Sequence, residues 1–437
     1  MDQSNPHIWR FSLRDLLAII FLMSINLLVV VSEDVECINT PPGVRQMIRG
    51  VDITQLDLIP LQFKSDNGFK SPVIKFTCNE KRMYTAGSAR YHLPDQLWHI
   101  TNLPGGWHRA DVHLYKTSSD VRSRMTQEVA GEGLNWRFSF SVSGSYAKFQ
   151  QTLIGSEKYI SDVSSFRSSK RVELKPAEDL GMDTIAERQL NAYVGTSGYQ
   201  CDPAAYHKFI NEFGTHYFST GTFGGYLRSV YETDTEFFST HTDEEVKAEA
   251  RTIFIDGGGA GDSSAVSKQF KALSNEQLLF YGGNADLQSP GNVQSWQSTV
   301  DANPWLLSGT VKPISDLIRN DRKRSSMERA VEQHLMKAHL VELRRVLTSL
   351  KSKHGDSPEI KSNETVLAFL EDKPIWCVAN EEVETAVTSI NRLLSQYSTS
   401  TITTTEPTKS VENGNGHNVL TGTLLSLCLV GALIYCV

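Results

Sequence analysis

Between Glu212 and Leu227 the chain reads EFGTHYFSTGTFGGYL, with four glycines and no charge after Glu212. This stretch constrains the backbone more than any other. Glycine inside a strand permits a sharp bend and close approach of another backbone, at a cost in local stability. Gly224 and Gly225 fit that need, and Gly214 and Gly221 add freedom. His216 raises a second question, because histidine titrates near neutral pH and serves in catalysis and metal binding. No acid or nucleophile stands beside it at a catalytic spacing. It reads as a packed, hydrogen-bonded histidine, ahead of a pH-responsive role and further ahead of catalysis or metal ligation.

The two ends read as targeting segments. Residues 1–32 begin polar and weakly basic with Arg10 and Arg14, continue apolar from Leu16 to Val31, and reach Ser32 before Glu33 and Asp34. That is the order of a secretory signal peptide, with cleavage expected after Ser32. The alternative, a retained anchor, needs about 20 apolar residues, more than this run supplies. Val419 to Val437 is apolar apart from small hydroxyls, and no Lys or Arg follows it. A stop-transfer helix usually has basic residues on its cytoplasmic side. The tail therefore reads as a glycolipid (GPI) anchor signal over 414–437, with Asn413 as the attachment residue. A plain single-span protein is the alternative. The expected location is the extracellular side of the cell surface, reached through the secretory pathway, with release or storage in secretory vesicles as variants.

The net charge of -7 is mild, and no basic stripe suggests nucleic acid. Cys37, Cys78, Cys201 and Cys377 remain in the secreted part. An even number in an oxidising compartment reads as two disulfides, with three pairings open. No cysteine pair has zinc-site spacing, and no metal, cofactor or small-molecule substrate is expected. Asn363-Glu-Thr is a glycosylation sequon, which predicts a surface site.

Residues 33–135 are mixed, with turn signals at Thr40-Pro-Pro-Gly43 and Leu103-Pro-Gly-Gly106. From Val311 the pattern turns helical. Met327, Val331, Leu335, Leu343, Val346, Leu347 and Leu350 form one amphipathic face. The cluster Arg319, Arg322, Lys323 and Arg324 reads as a solvated helix end. A short helix is predicted over Glu381–Gln396, with Val383, Ala386, Val387, Ile390 and Leu394 on one side. Residues 351–397, which include this second helix, read as a short C-terminal helical extension. The stretch 398–413, Ser- and Thr-rich from Ser398 to Thr405, reads as an extended stalk.

Phe213-Gly-Thr-His-Tyr217, six residues, then Gly224-Gly225 resembles the signature of the membrane-attack-complex/perforin family. The family usually has Tyr or Trp where Phe213 stands. Further resemblances follow in order: Gly50-Val-Asp-Ile-Thr54, Ser141-Val-Ser-Gly-Ser145, Thr242-Asp-Glu-Glu-Val246, and Tyr281-Gly-Gly-Asn284 with Trp296 and Asn303-Pro-Trp305. Together they cover about residues 45–345 of a domain placed at 33–350. The resemblance implies an α+β fold of the kind shared with cholesterol-dependent cytolysins. That fold is a bent, twisted antiparallel sheet, with the signature Phe213, Gly214, Thr215, His216, Tyr217, Gly224 and Gly225 at its bend. Two flanking helical clusters can refold to transmembrane β-hairpins. It favours a Cys37–Cys78 disulfide, which leaves Cys201 with Cys377.

The inserting segments are expected at 136–174 and 233–280. In the first, Phe138, Phe140 and Val142 alternate with Ser139, Ser141 and Ser143. Period-two alternation puts the apolar set on one face of a strand, as a half-buried soluble strand also would. In the second, Thr242 to Glu245 is a capping box that should start a helix. Yet Val246, Ala248 and Ala250 alternate with charged residues, and Phe254 follows. Gly257-Gly-Gly-Ala-Gly261 would supply a flexible turn. A tilted membrane strand needs about 9–11 residues, and both segments exceed a hairpin's need.

The resemblance thus implies a perforin-like pore former that assembles homo-oligomeric rings or arcs on a lipid bilayer, in immune defence or cytolysis, and not an enzyme. Perforins carry a calcium-dependent lipid-binding module after this domain. About 60 residues between Lys353 and Asn413 are too few for one, so no calcium requirement is expected. The alternatives are a non-lytic surface member in adhesion, development or signalling, and a tethered binding module. If the tail is a glycolipid signal, phosphatidylinositol-specific phospholipase releases the protein from cells; retention under conditions that release a control protein excludes the anchor.

Overall fold

Two long strands organise the chain. The computed structural model describes residues 35–62, 67–131, 140–156, 158–194, 198–255 and 264–399. The N-terminal part holds β1 (Arg49–Val51), β2 (Phe69–Pro72), β3 (Met83–Ala86), β4 (Ala89–His92), β5 (Leu97–Asn102) and β6 (Asp111–Tyr115). Next come α1 (Ser118–Glu128), β7 (Val129–Gly131), α2 (Gly144–Gly155), β8 (Lys158–Leu174), α3 (Thr184–Val194), α4 (Pro203–Phe213) and β9 (His216–Asp234). Then follow α5 (Thr235–Thr240), α6 (Asp243–Ile255), α7 (Ala265–Ala272), β10 (Ser274–Tyr281), α8 (Val293–Gln297) and β11 (Trp305–Pro313). The chain closes with α9 (Asp321–His354), α10 (Pro358–Asp372) and α11 (Asn380–Thr399).

β8 and β9 are rich in aromatic and β-branched residues, which suit a pleated surface. They pair antiparallel from Lys158↔Asp234 to Glu173↔Thr220. Each has an outer row made of two short strands in tandem. β6 lies on β8 over Ile160–Ser164, and β5 over Lys170–Leu174. β10 lies on β9 over Tyr226–Thr233, and β11 over His216–Gly224. The result is a four-row antiparallel sheet divided at mid-height. β1 extends its lower end through Gly50↔Tyr217 and Val51↔His216, and β7 joins β11 in parallel.

The helices start where local chemistry tells them to. Thr117 and Asp120 form a capping box on α1. Asp202 caps α4, with Pro203 in its first turn. Asn320 caps α9, which ends at Gly355 with φ 77°. All seven residues expected on the amphipathic face of α9 are buried. They pack into one core with Val172, Phe218, Phe223 and Leu306 of the sheet. The predicted Glu381–Gln396 helix is α11. Helix α10 was not anticipated, although Ser357, Pro358 and the buried Ile360, Leu367 and Leu370 were there to read.

Several expectations need correction. Only part of each expected inserting segment is helical, because Lys158–Leu174 and Ser274–Tyr281 already belong to the sheet. Asn363 does not sit on a surface loop. It lies within α10, 6% exposed, and its Nδ2 donates to Glu359 O at 2.8 Å. Arg319 is more than a solvated end, since its guanidinium donates to the carbonyls of Glu178 and Leu180. Trp136, Phe138, Gly257 to Gly261, Asn413 and both terminal segments lie outside the described residues.

Cys37 and Cys78 form a disulfide, as the resemblance implied, with Cα atoms 5.1 Å apart. Cys201 leads into α4 and Cys377 ends a turn before α11, and both neighbourhoods pack on α9. The long helix thus ties the C-terminal helices to the signature region. Closing the 41-residue loop between Cys37 and Cys78 removes chain entropy from the unfolded state. Cys37→Ala/Cys78→Ala is expected to lower unfolding free energy by roughly 2–4 kcal/mol, measured by urea denaturation under non-reducing conditions.

Candidate functional site

The glycine-rich stretch forms the lower half of β9 and the turn before it. Gly224 pairs with Ser168 on one side and Trp305 on the other. A Cβ on Gly224 would lie 1.8 Å from the carbonyl oxygen of Arg167, so no other residue fits there. Three register shifts surround it, at Ser168/Lys170 on β8, at Leu306/Ser308 on β11 and at Phe218/Thr220 on β9 opposite Thr310 and Val311. Each inserts an extra residue, and β-bulges bend a strand and increase its twist. Gly214, with φ 86°, makes the turn from α4 into β9.

Thr215 and His216 fasten this turn to β1. The Thr215 hydroxyl donates to Val51 O and accepts from Ile53 N–H, both at 3.1 Å. Its one proton is therefore used, and His216 Nδ1, at 2.8 Å, must be the donor in their mutual bond. His216 is 1% exposed, and burial holds its pKa at about 3, partly offset by Asp52. It is a neutral structural histidine. Phe213 and Tyr217 are also buried in the core. Among the described residues, no group of three or more His, Cys, Asp or Glu could hold a metal ion.

Two helical clusters pack on the upper half of the sheet. The first is α2, led in by a turn at Phe140–Ser143. In the soluble form this stretch is a turn and not the half-buried strand that the alternation also allowed. Phe140 has φ 59° and is 2% exposed, and Ser141 and Ser143 are buried with it. The turn wedges against residues 53–54, to whose carbonyls Phe140 and Val142 donate at 2.9 and 3.0 Å. α2 itself buries Tyr146 and Phe149 against Tyr115, Val121, Ile160 and Val230.

A buried polar network then fixes α2 to α9. Glu342 of α9, 4% exposed, accepts from Tyr146 OH at 2.6 Å, from Gln150 Nε2 at 3.4 Å and from Arg122 of α1. His339 Nδ1 lies 2.9 Å from the same carboxylate. Burial alone would raise the Glu342 pKa, but Arg122, His339 and Tyr146 outweigh it and hold it at about 2. Local sequence gives no hint of this network, because Glu342 stands 220 residues from Arg122 and 196 from Tyr146.

The second cluster is α5, α6 and α7. The Thr242–Glu245 capping box is formed, with Thr242 N–H donating to Glu245 at 2.7 Å. Val246, Ala250 and Ile253 of α6 face the sheet and pack with Phe237 and Phe270 on Val112, Val163 and Tyr231. Ala248 faces solvent, and Phe254 is partly buried. Lys116 reaches across to Asp243 at 2.5 Å.

Two buried groups give this assembly a defined acid response. The folded pKa of His216 lies below its ordinary 6.5, so the unfolded chain takes up that proton first. Its contribution is complete above about pH 6.5 and lost as pH falls toward 3. Glu342 adds a second loss from 4.5 down toward 2. Glu128, whose carboxyl burial raises to about 7, acts in the opposite sense between about pH 7 and 4.5, so the His216 contribution is read as the difference between parent and variant: His216→Gln should remove up to one proton from the uptake that accompanies unfolding. Urea melts at a series of pH values measure both slopes; an unchanged upper slope in His216→Gln contradicts the buried neutral state.

The MAC/Perforin domain model matches residues 40–344. The 67 kDa subunit of perivitellin-2 from Pomacea maculata is 30% identical over 353 residues, covering 79% of this chain and 62% of that protein. The same subunit from Pomacea canaliculata gives the same identity and coverage. The chain thus spans less than two thirds of the length of these relatives. Among solved structures, GNIP1Aa from Chromobacterium piscinae superposes with a TM-score of 0.53 at 18% identity, over 69% of this chain and 57% of that one. That likeness is one of fold. The matched region contains the bulged sheet, the signature turn and both helical clusters, and the chain belongs to the MAC/Perforin family.

Proposed function

We propose that this protein forms pores, by release of both helical clusters from the sheet and their refolding as β-hairpins that extend it across a bilayer. One observation carries the reading. The connection between β6 and β8 and the connection between β9 and β10 leave the same end of the sheet, at Tyr115↔Ile160 and Ser274↔Thr233. The strand order there is β6-β8-β9-β10, antiparallel throughout. Each cluster is therefore already the loop of a hairpin whose arms are paired and in register. Residues 116–157 and 235–273 lie between those arms. A tilted membrane strand takes about 9–11 residues, so each connection suffices for a spanning hairpin with extension beyond the lipid.

Closure into a ring of copies follows from the same chemistry, because an open sheet edge in hydrocarbon leaves backbone groups without partners. Among the described residues no helix is long and apolar enough to cross a membrane, which bears only on helices. Attachment through a lipid at Asn413 would hold the protein at the surface before insertion. A non-lytic surface role remains the competing reading, and leakage separates the two.

The structure selects the residue for that test. A charge at Phe140, which is 2% exposed, would be buried in the soluble fold. Ala248 is exposed on α6 but shares a strand face with Val246 and Ala250. Ala248→Lys should therefore leave the soluble form stable to within about 0.5 kcal/mol. At mid-bilayer the same lysine costs about 2–4 kcal/mol in every subunit. Dye leakage from liposomes should be strong for the parent and lost for Ala248→Lys, while surface-bound oligomers persist by electron microscopy. Leakage by Ala248→Lys at the parent's rate refutes a lipid-facing second hairpin; no leakage by the parent on any membrane favours the non-lytic reading.

A further inference from the structure

The end of the sheet away from the helical clusters carries a feature that pore formation does not use. β5 is an edge strand paired with β8 alone among the described residues. Its register shifts between Leu97 and His99, so Trp98 is the extra residue of a β-bulge. A bulge releases one residue from the ladder and re-aims its side chain. Leu97 is fully buried, while Trp98 is 61% exposed. Of the other described tryptophans, Trp296 is fully buried and Trp107 and Trp305 are partly buried.

Trp98 stands on the wall of a groove of about 420 Å³, together with Glu173, Lys175, Ser219, Thr220 and Lys312. The opposite wall is bulged too. β9 gains Ser219 as an extra residue between Thr220↔Thr310 and Phe218↔Val311. Ser219 Oγ donates to Thr310 O, and Thr220 Oγ1 accepts from Thr310 N–H, both at 3.2 Å. The Ser219 oxygen keeps accepting capacity, and the Thr220 hydroxyl keeps its proton. Glu173 has His99 at 3.7 Å, and Lys175 has Glu80 at 3.4 Å.

The groove thus presents one flat aromatic face beside hydroxyls, a carboxylate and two ammonium groups. A purely apolar ligand would leave those polar groups dehydrated without partners, which is costly. A phosphate would meet Glu173 in the same groove and a lysine already engaged by Glu80. A ring with an apolar face and a rim of hydroxyls satisfies all of it. We propose that this groove binds a pyranose unit of a glycan, stacked on Trp98 and hydrogen-bonded to Glu173, Thr220 and Lys312. The site lies at the Leu174 end of β8, whereas the clusters hang from the Lys158 end. At about 3.3 Å per residue, roughly 50 Å of strand separates them. Sugar binding would therefore proceed with the clusters in place, and the inference does not rest on pore formation.

The test is a printed array of neutral and sialylated glycans probed with the parent protein, followed by titration calorimetry on the free oligosaccharide it retains. Trp98→Ala should weaken binding at least about tenfold, and Trp98→Phe should recover part of it. Because the indole is exposed, both variants should melt with the parent, which a thermal scan checks. Retention of no glycan by the parent, or equal retention by Trp98→Ala, overturns the proposal. So does a change in self-association of Trp98→Ala by sedimentation without a change in sugar binding, which would make the bulge a contact between copies.

Discussion

The structure depends on a backbone contact at Gly224, where a single Cβ would stand 1.8 Å from the Arg167 carbonyl. Around that point β8 takes up Ser169 as an extra residue, β11 takes up Leu307, and β9 takes up Ser219 against β11. A sheet bulged this heavily changes direction over a few residues. A single straight outer strand could not follow both halves, and on each side the outer row is divided near the same level. β5 and β6 are separated by residues 103–110, and β10 and β11 by 282–304. The division assigns different work to the two ends. The lower half joins the signature turn to β1 and the core, and the upper half carries the helical clusters.

The upper half contains two buried ionic arrangements with different positions in that scheme. Arg228 and Asp162 pair across β9 and β8 at 2.7 Å, and Arg228 also donates to Ile59 O. Both lie within strands that stay paired whatever the clusters do. Glu342 instead joins α9 to α1 and α2, outside the sheet. A buried ion pair adds little net stability, but removing one partner costs about 3–5 kcal/mol because the other is stranded. The network therefore specifies where α2 docks more than it strengthens the fold. The second cluster has no counterpart of comparable burial among the described residues and is held mainly by Phe237, Val246, Ile253 and Phe270. The first cluster thus combines apolar area with a buried charge network, and the second relies mainly on apolar area.

What could be read from the sequence was what is encoded locally. The face of α9 from Met327 to Leu350 repeats within each turn, and the Thr242–Glu245 cap lies within four residues. Both are present as read. The glycine motif was legible because only a backbone contact explains so many glycines among buried aromatics. Phe140 to Ser143 misled because period-two alternation describes side chains and not dihedral angles; the φ of 59° at Phe140 breaks the strand that the pattern suggests. Asn363 misled in the same way, since three residues define a sequon but α10 packing decides its exposure. The Glu342 network and the groove beside Trp98 were out of reach, because each exists only after distant segments meet.

On the proposed insertion, the second cluster would have to suit two environments. As a helix, α6 uses positions 246, 250 and 253 against the sheet. As a strand, it would place 246, 248 and 250 on one face and Lys247, Glu249 and Arg251 on the other. The charged set is compatible with water in either form. Val246 and Ala250 are shielded from water by the sheet in the helix and would be shielded by lipid in the proposed hairpin. Ala248 would pass from solvent on the soluble helix to lipid in such a hairpin, while Ile253 would leave the sheet for the face of Lys247 and Arg251. A larger apolar residue there would expose a hydrophobic patch on the soluble protein, and a polar one would oppose insertion. Alanine is the best helix former and exposes little apolar surface. Its presence at that position is what a sequence constrained by both structures would require.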